Sequence, residues 1–444
     1  MADTNVATDH SSNSEDFNSL WGPYWIDKDK GLIIRADGNV NVAKSITTDG
    51  GATWDDSVAV TTDGIHFACW FDRDTPGDMG TIVHVVWLDY VADTFHYVDI
   101  DVNGGGVGTE RTIESSLTVS VTGYQQRCAI TKTVSGNLIA AMSTQAEIHC
   151  AKSEDDGATW IHGVADVYET GTEEDWLLLF PACTADDNDA CGLFWDRSIN
   201  EISIKMFDDS SGTSGAWTES TGDPNAIDDI FNIQMDAAVR HSDGAILLAN
   251  HGYYDNAADD LTTWEIIPDS IADPTVTEKT EIFTNQTESA QAAIIINQQN
   301  NDVYVAWFSG AAGGGTWQSE VDIWYSKSDD DMANWSAPTQ VNEDTADDSR
   351  MLHGGRTISA SGGRIQFVWY LDDLSDSFVN LNNDIEIAAE AAPVGITRFA
   401  MNVGDSWKHI SGATAVKINI DDSWKAVNDM QLNVGDAWKV VTVS

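Results

Sequence analysis

The sequence predicts an all-β chain: a seven-bladed β-propeller of four-stranded antiparallel blades, followed by a small module of β-hairpins. Three observations predict it. An eight-residue turn motif recurs along the chain, an apolar strand recurs at a near-constant period, and the last tenth of the sequence has a short repeat of its own.

The turn motif is clearest at Ser153-Glu154-Asp155-Asp156-Gly157-Ala158-Thr159-Trp160 and at Thr47-Thr48-Asp49-Gly50-Gly51-Ala52-Thr53-Trp54. A third copy, Ser328 to Trp335, keeps Ser, Asp330 and Trp335 but loses Gly and Thr. A fainter one, Ala257 to Trp264, keeps Asp259, Thr263 and Trp264. Each residue type has a task in a tight turn. The carboxylates of Asp49, Asp155 and Asp330 accept bonds from backbone N–H groups ahead of them. Gly51 and Gly157 take a positive φ that a side chain resists. Trp54, Trp160 and Trp335 return the chain to the apolar layer.

The period comes from segments that begin near residues 31, 81, 136, 190, 244, 301 and 363. Ile82–Trp87, Cys191–Trp195, Val303–Trp307 and Ile365–Trp369 end in Trp; Gly31–Arg35, Gly136–Ala141 and Gly244–Ala249 are variants. Each is entered through a hairpin turn from a preceding strand, such as Trp21–Ile26 before Asp27-Lys28-Asp29-Lys30-Gly31. A third strand follows, then the Asp-Gly turn in units 1, 3, 5 and 6, then a fourth strand. Repeats of four strands at this spacing predict a propeller over 21–396. Residues 1–20 are polar and acidic and read as a free arm, not as a secretory signal.

Composition excludes several classes. The formal net charge is −50, from 72 acidic and 22 basic residues, so nucleic acid is repelled. No apolar run is long enough to span a membrane. A surface this acidic suits a salt-rich medium. The five cysteines, Cys69, Cys128, Cys150, Cys183 and Cys191, are odd in number and lack zinc-site spacing, which predicts buried free thiols.

At 397–444 the charge balances: Arg398, Lys408, Lys417, Lys425 and Lys439 stand against Asp405, Asp421, Asp422, Asp429 and Asp436. Asn402–Lys408, Asn419–Lys425 and Asn433–Lys439 share the pattern Asn-φ-Gly/Asp-Asp-x-Trp-Lys, with Trp407, Trp424 and Trp438 in equivalent places. Each copy predicts a hairpin. Three hairpins bury little surface alone, so the segment reads as a docking or oligomerisation module.

The turn motif resembles the Asp box of sialidase-like β-propellers, where it is a folding device of the outer blade. The C-terminal repeat resembles the tails of virion proteins of tailed phages. That resemblance implies a particle-associated structural protein: a tail fibre, decoration or host-attachment component, made in the host cytoplasm. Its implied partners are other virion proteins, copies of itself and a host-surface glycan. Sialidase chemistry needs an arginine cluster for the substrate carboxylate, a Tyr–Glu pair and an acid/base Asp. The sialidase Arg-Ile-Pro motif is missing from Trp21-Gly22-Pro23-Tyr24-Trp25-Ile26, and Arg35 follows without Pro. The expectation is therefore a non-enzymatic propeller, with a divergent sialidase-like hydrolase or a glycan-binding propeller as the alternative.

Inner strands line the channel of a propeller. The polar residues that this places at its mouth are Arg127, Asp236, Gln291, His353 and Arg356. Two arginines suit a carboxylate clamp, and a histidine suits proton transfer near neutrality. Tyr253, Tyr254 and Trp317 offer aromatic faces to a glycan. No cofactor is expected, and no dedicated metal site; Ca²⁺ is a candidate only in the acidic loops Asp186-Asp187-Asn188-Asp189, Asp329-Asp330-Asp331 and Asp372-Asp373 with Asp376. Gly104-Gly105-Gly106 and Gly313-Gly314-Gly315 read as loop tips.

Overall fold

The computed structural model describes residues 4–7 and most of 20–381, and of 398–442 the strands alone. Within 20–381 it leaves out 38–40, 56–57, 62–64, 90, 116, 118–127, 145–147, 165–173, 197–200, 212–214, 220–234, 254–258, 287–289, 310–321, 342–347, 359–364 and 374–375. The chain divides into two compact units, Met1–Ile387 and Ala388–Ser444.

The first unit is an all-β propeller. Strand β1 (Thr4–Ala7) opens the chain. The first sheet is β2 (Leu20–Trp25), β3 (Gly31–Ala36), β4 (Val42–Thr47) and β5 (Val58–Ala59). The second is β6 (Ile65–Phe71), β7 (Ile82–Asp89), β8 (Thr94–Asp101) and β9 (Arg111–Ser115). The third is β10 (Cys128–Lys132), β11 (Leu138–Ser143), β12 (Ile148–Ser153) and β13 (Ile161–Val164). The fourth is β14 (Glu174–Pro181), β15 (Ala190–Asp196), β16 (Glu201–Asp208) and β17 (Ala216–Glu219). The fifth is β18 (Met235–Val239), β19 (Ile246–Tyr253), β20 (Asp259–Ile267) and β21 (Thr275–Glu278), with β22 (Phe283–Gln286) added beside β20. The sixth is β23 (Ala290–Asn297), β24 (Asp302–Ser309), β25 (Asp322–Ser328) and β26 (Thr339–Gln340).

These six sheets are each laid down by consecutive antiparallel strands, as the period predicts. The expected seventh unit differs. It has three strands of its own, β27 (Asp348–Gly354), β29 (Phe367–Asp373) and β30 (Asp376–Leu381), and β1 pairs antiparallel with β30 as the fourth. The short β28 (Thr357–Ile358) joins the sixth sheet, parallel to β23. Thr4–Ala7 therefore does not belong to a free arm. The physical reason is the sheet edge: β30 without a neighbour presents unpaired N–H and C=O groups, and the chain's own N-terminal strand covers them. The innermost strands pack in a closed circle, β2 beside β6, then β10, β14, β18, β23 and β27, which returns to β2.

Strands apolar on both faces fill this ring because sheet packs on sheet. Leu32, Ile34, Val83, Val85, Leu138, Leu193, Ile246, Val305 and Phe367 are sealed from solvent. All five cysteines are thiols outside disulfides; four are buried and Cys183 is half-buried.

The repeated turns have the geometry their residues imply. Asp155 accepts from the Thr159 N–H (2.8 Å), the Thr159 hydroxyl (2.7 Å) and the Ser153 hydroxyl (2.9 Å). The Gly157 N–H in turn donates to Ser153 Oγ (2.9 Å). Asp49 does the same with Thr53 and Thr47. In the third copy Asn334 replaces Thr: its N–H (2.9 Å) and side-chain amide (2.6 Å) both donate to Asp330. Met332 there takes φ +60°, the left-handed conformation that Gly157 takes at +80°. The described part of the fourth copy, from Asp259, is strand and not turn. Asp259–Ile267 is one continuous strand, β20, and Asp259 and Trp264 pair along it.

What the turns touch is a tertiary fact. Each described turn after a third strand reaches the sheet before its own. Trp54 packs on Val6, Ala7 and Val368 of the composite sheet. The Lys44 ammonium of β4 bonds the Gly105 carbonyl in the second sheet's turn. The Trp160 ring meets the edge of Tyr97 in β8, at 5.2 Å. Lys152 of β12 holds Asp209 of the next sheet's turn at 2.7 Å. The Cys183 N–H donates to the Pro268 carbonyl. In the sixth sheet Asp331 pairs with Lys279 (2.8 Å) and with Arg240, and Trp335 Nε1 donates to the Thr280 carbonyl (2.8 Å). No described helix is long and apolar enough to cross a membrane.

The second unit contains three two-stranded sheets. They are β31 (Arg398–Asn402) with β32 (Trp407–Ser411), β33 (Lys417–Ile420) with β34 (Ser423–Ala426), and β35 (Asp429–Val434) with β36 (Ala437–Thr442). All three share one register: Asn402 lies opposite Trp407, Asn419 opposite Trp424, and Asn433 opposite Trp438.

Candidate functional site

Arg356 marks the middle of the ring. Its guanidinium carbon lies 5.0 Å from the Trp21 ring, 5.5 Å from Phe180 and 5.9 Å from Trp70. Those rings come from β2, β14 and β6. Its Nε donates a long bond, 3.4 Å, to Asp236 Oδ1 on β18. A side chain that touches four inner strands sits at the hub.

The local sequence makes this possible. A Cβ on Gly355 would stand 2.2 Å from the Pro23 carbonyl oxygen, and one on Gly354 would stand 2.6 Å from Ile295 Cγ1. The two glycines therefore let the end of β27 press between β2 and β23. Arg356 itself adopts φ +48°, a strained conformation for a residue with a side chain. The Ile296 N–H fixes it by donating to the Arg356 carbonyl (2.8 Å).

Buried ionisable groups surround Arg356. Asp236 is buried and accepts the Ala237 N–H (2.9 Å) and the Ile294 N–H (3.1 Å). His353 stacks near Trp21 at 4.6 Å, and its Nδ1–H donates to the Gly22 carbonyl at 3.3 Å. Burial pushes His353 down to about 4, against the pull of Asp236. Asp74 follows β6 and is pushed up to about 7 by burial, although Arg356 favours its anion. Burial also raises the Tyr24 hydroxyl and the Cys69 thiol, which lie side by side near Arg356.

The structure brings together three of the five residues expected at the channel mouth: Asp236, His353 and Arg356. They meet inside the ring, not at an open mouth, and Arg356 is only 3% exposed. Arg127 lies outside the described residues. Gln291 lies in β23, and its side chain is outside them. Tyr254 and Trp317 are outside as well, and Tyr253 is described only as the last residue of β19. Arg35 is fully buried in β3.

Sequence reasoning missed Asp74, Tyr24, Cys69, Trp21, Trp70 and Phe180. Tyr24 and Trp21 read simply as strand residues. The available signal for Asp74 was its place in Asp72-Arg73-Asp74, the turn after an inner strand.

Described carboxylates of the acidic loops bind the protein's own donors. Asp189 accepts from the Thr184 hydroxyl and the Asp209 N–H, Asp330 from Asn334, and Asp331 from Lys279. Among the described residues no group of three His, Cys, Asp or Glu side chains is placed to hold a metal ion.

No family model matches the chain. No curated protein matches it in sequence. Among solved structures, a polysaccharide lyase of family PL25, an ulvan lyase bound to -[GlcA(1-4)Rha3S]-, is similar with TM-score 0.48 and 7% identity; the match covers 86% of this chain and 94% of that one. The intramolecular trans-sialidase from Ruminococcus gnavus matches with TM-score 0.43 and 11% identity, over 87% of this chain and 99% of that one. The Trypanosoma rangeli sialidase matches with TM-score 0.40 and 10% identity, over 86% and 58%.

Proposed function

We propose that this chain is a glycan-binding β-propeller without sialidase activity, and that its ligand is a neutral or amino-substituted carbohydrate. In this reading the composite sheet completes a seven-bladed ring, and the turns at Asp49, Asp155 and Asp330 are Asp boxes.

One observation carries it. Arg356, the described arginine best placed to clamp a sugar carboxylate, is enclosed by three aromatic rings and by Asp236. It is a structural cation of the hub and is not presented to a ligand. A net charge of −50 also repels uronic and sialic acids and leaves uncharged or cationic sugars. Ca²⁺ in the acidic loops is part of the same proposal, as an optional aid to ligand binding.

The test is calorimetric titration with neutral, amino-bearing and acidic oligosaccharides, with and without Ca²⁺, beside an assay of sialoside hydrolysis. Binding confined to the first two classes, with no hydrolysis, is the expected result. Sialoside turnover, binding of acidic sugars alone, or binding of none of the three classes overturns it.

A second reading places the chain in a virion as a fibre, decoration or attachment component, with the tail as anchor to copies of itself or to other virion proteins. The shared register of the three C-terminal hairpins favours it. A repeated unit too small to be stable alone calls for a partner surface. Host-surface glycan is then the ligand of the displayed propeller.

A further inference from the structure

Three parts of the ring leave polar atoms without partners in one neighbourhood. Asp74 Oδ1 and Oδ2, Thr357 Oγ1 and His241 Nε2 are sealed from solvent, and none has a hydrogen-bond partner among the described residues. Asp74 follows β6, His241 follows β18, and Thr357 begins β28. They are neighbours in space. The Thr357 hydroxyl and the Phe71 N–H stand beside the Asp74 carboxyl and favour its anion, without meeting it in hydrogen-bond geometry. The His241 ring rests against the Asp74 backbone. Buried polar groups are nearly always satisfied, and four orphans in one place point to something bound there.

The charges say what kind of group. Those that face Asp74 are Arg356 and Asp236, with the Tyr24 hydroxyl alongside. Arg356 is directed at Asp236 and at three ring faces. Arg356 favours the Asp74 anion but is shared with Asp236, so two carboxylates face one cation and a charge is left over. Water satisfies lone pairs but brings no charge. A dication takes several carboxylates in its shell, and one carboxylate with two neutral groups falls short of that. A monovalent ion matches both the charge and the count, since ammonium donates four hydrogen bonds and the orphan atoms number four.

We propose that Asp74, Thr357 and His241 form a hub site for a monovalent cation of ammonium or potassium size. The carboxylate supplies the charge; the hydroxyl oxygen and the imidazole nitrogen supply lone pairs. The ion ties together three arcs of the ring, beside the contact that the His241 ring makes with the Asp74 backbone.

The experiment is thermal unfolding of the full chain at pH 8 in ammonium, potassium, sodium and choline chlorides at equal ionic strength. Choline is too large to enter. The melting temperature is expected to be at least about 2 °C higher in ammonium or potassium than in choline. The ammonium and potassium arms distinguish a hydrogen-bonding ion from a coordinated one. Asp74→Asn keeps the shape, removes the charge and should abolish the difference. Thr357→Val removes one lone-pair donor and should at least halve the difference. Equal melting in all four salts overturns the proposal, as does an undiminished ion-specific rise in Asp74→Asn. Should that variant fail to fold, Thr357→Val decides by the same comparison.

Discussion

Gly157 joins a local constraint to a tertiary one, and Gly157→Ala separates them. The residue has φ +80°, a conformation that costs an alanine about 1–2 kcal/mol. An added Cβ would also stand 2.1 Å from Tyr97 Cε1 and 2.5 Å from Cζ, on the sheet before its own. That ring must move. Its hydroxyl bonds His84 Nδ1 at 2.9 Å inside a buried chain that continues from His84 Nε2 to Asp72 (3.1 Å). Leaving such a group unpaired costs about 1–3 kcal/mol. Loss of the edge contact with Trp160 adds about 0.5–1.5 kcal/mol. The total expected for Gly157→Ala is about 3–6 kcal/mol. Gly136→Ala is the control: φ is +103° and nothing lies within 4 Å of its Cβ position, so only the backbone cost of about 1–3 kcal/mol applies. Urea unfolding of both variants gives the comparison. A Gly157→Ala/Tyr97→Ala double variant should show coupling of about 2 kcal/mol, because the clash is gone once the ring is gone. Equal costs at 136 and 157, or simple additivity in the double variant, would refute the claim that the turn is built around its neighbour's tyrosine.

Three further outcomes are expected. His353 is pushed from 6.5 to about 4 in the folded protein, so its contribution to stability is complete above pH 6.5 and is lost as pH falls toward 4. That loss is about 3 kcal/mol, and His353→Gln should remove it: the wild-type advantage over the variant shrinks by that amount between pH 7 and 4, read from urea midpoints in choline chloride. Asp74, pushed up to about 7, works in the opposite sense in this window, so the unmodified protein should show the shallower pH dependence. Lys152→Met removes the cation that holds Asp209 at 2.7 Å and Glu154 at 3.0 Å and should cost about 2 kcal/mol; adding Asp209→Asn should restore part of it, whereas no recovery would mean the two sheets are not tied there. Light scattering on a chain ending at Ile387 should give a monomer where the full chain gives an oligomer, and two monomers would remove the tail as a device for self-assembly.

Much of this protein is determined by sequence alone, because the information is local and repeated. Period, hairpin turns and apolar runs predict four-stranded units, and the Asp, Ser/Thr and Gly of each turn satisfy one another within eight residues. The copy at Ser328–Trp335 shows the limit of reading by residue type. It loses Gly and Thr, yet the Asn334 amide does the work of a threonine hydroxyl and Met332 bears the left-handed backbone. The copy at Asp259 shows the converse: residue types persist in a strand that makes no turn.

Tertiary structure alone decided the rest, since it depends on which distant residues meet. Nothing within Thr4–Ala7 marks it as the partner of Asp376–Leu381, and the pairing arises because a ring must cover its last edge. Asp236, His353 and Arg356 could be chosen as inner-strand polar residues. Whether they would face a ligand or each other depended on Trp21, Trp70 and Phe180, which arrive from three other sheets. A buried guanidinium needs a carboxylate and ring faces within a few ångströms. A sequence shows each of these residues, but only the closed ring sets them at that distance.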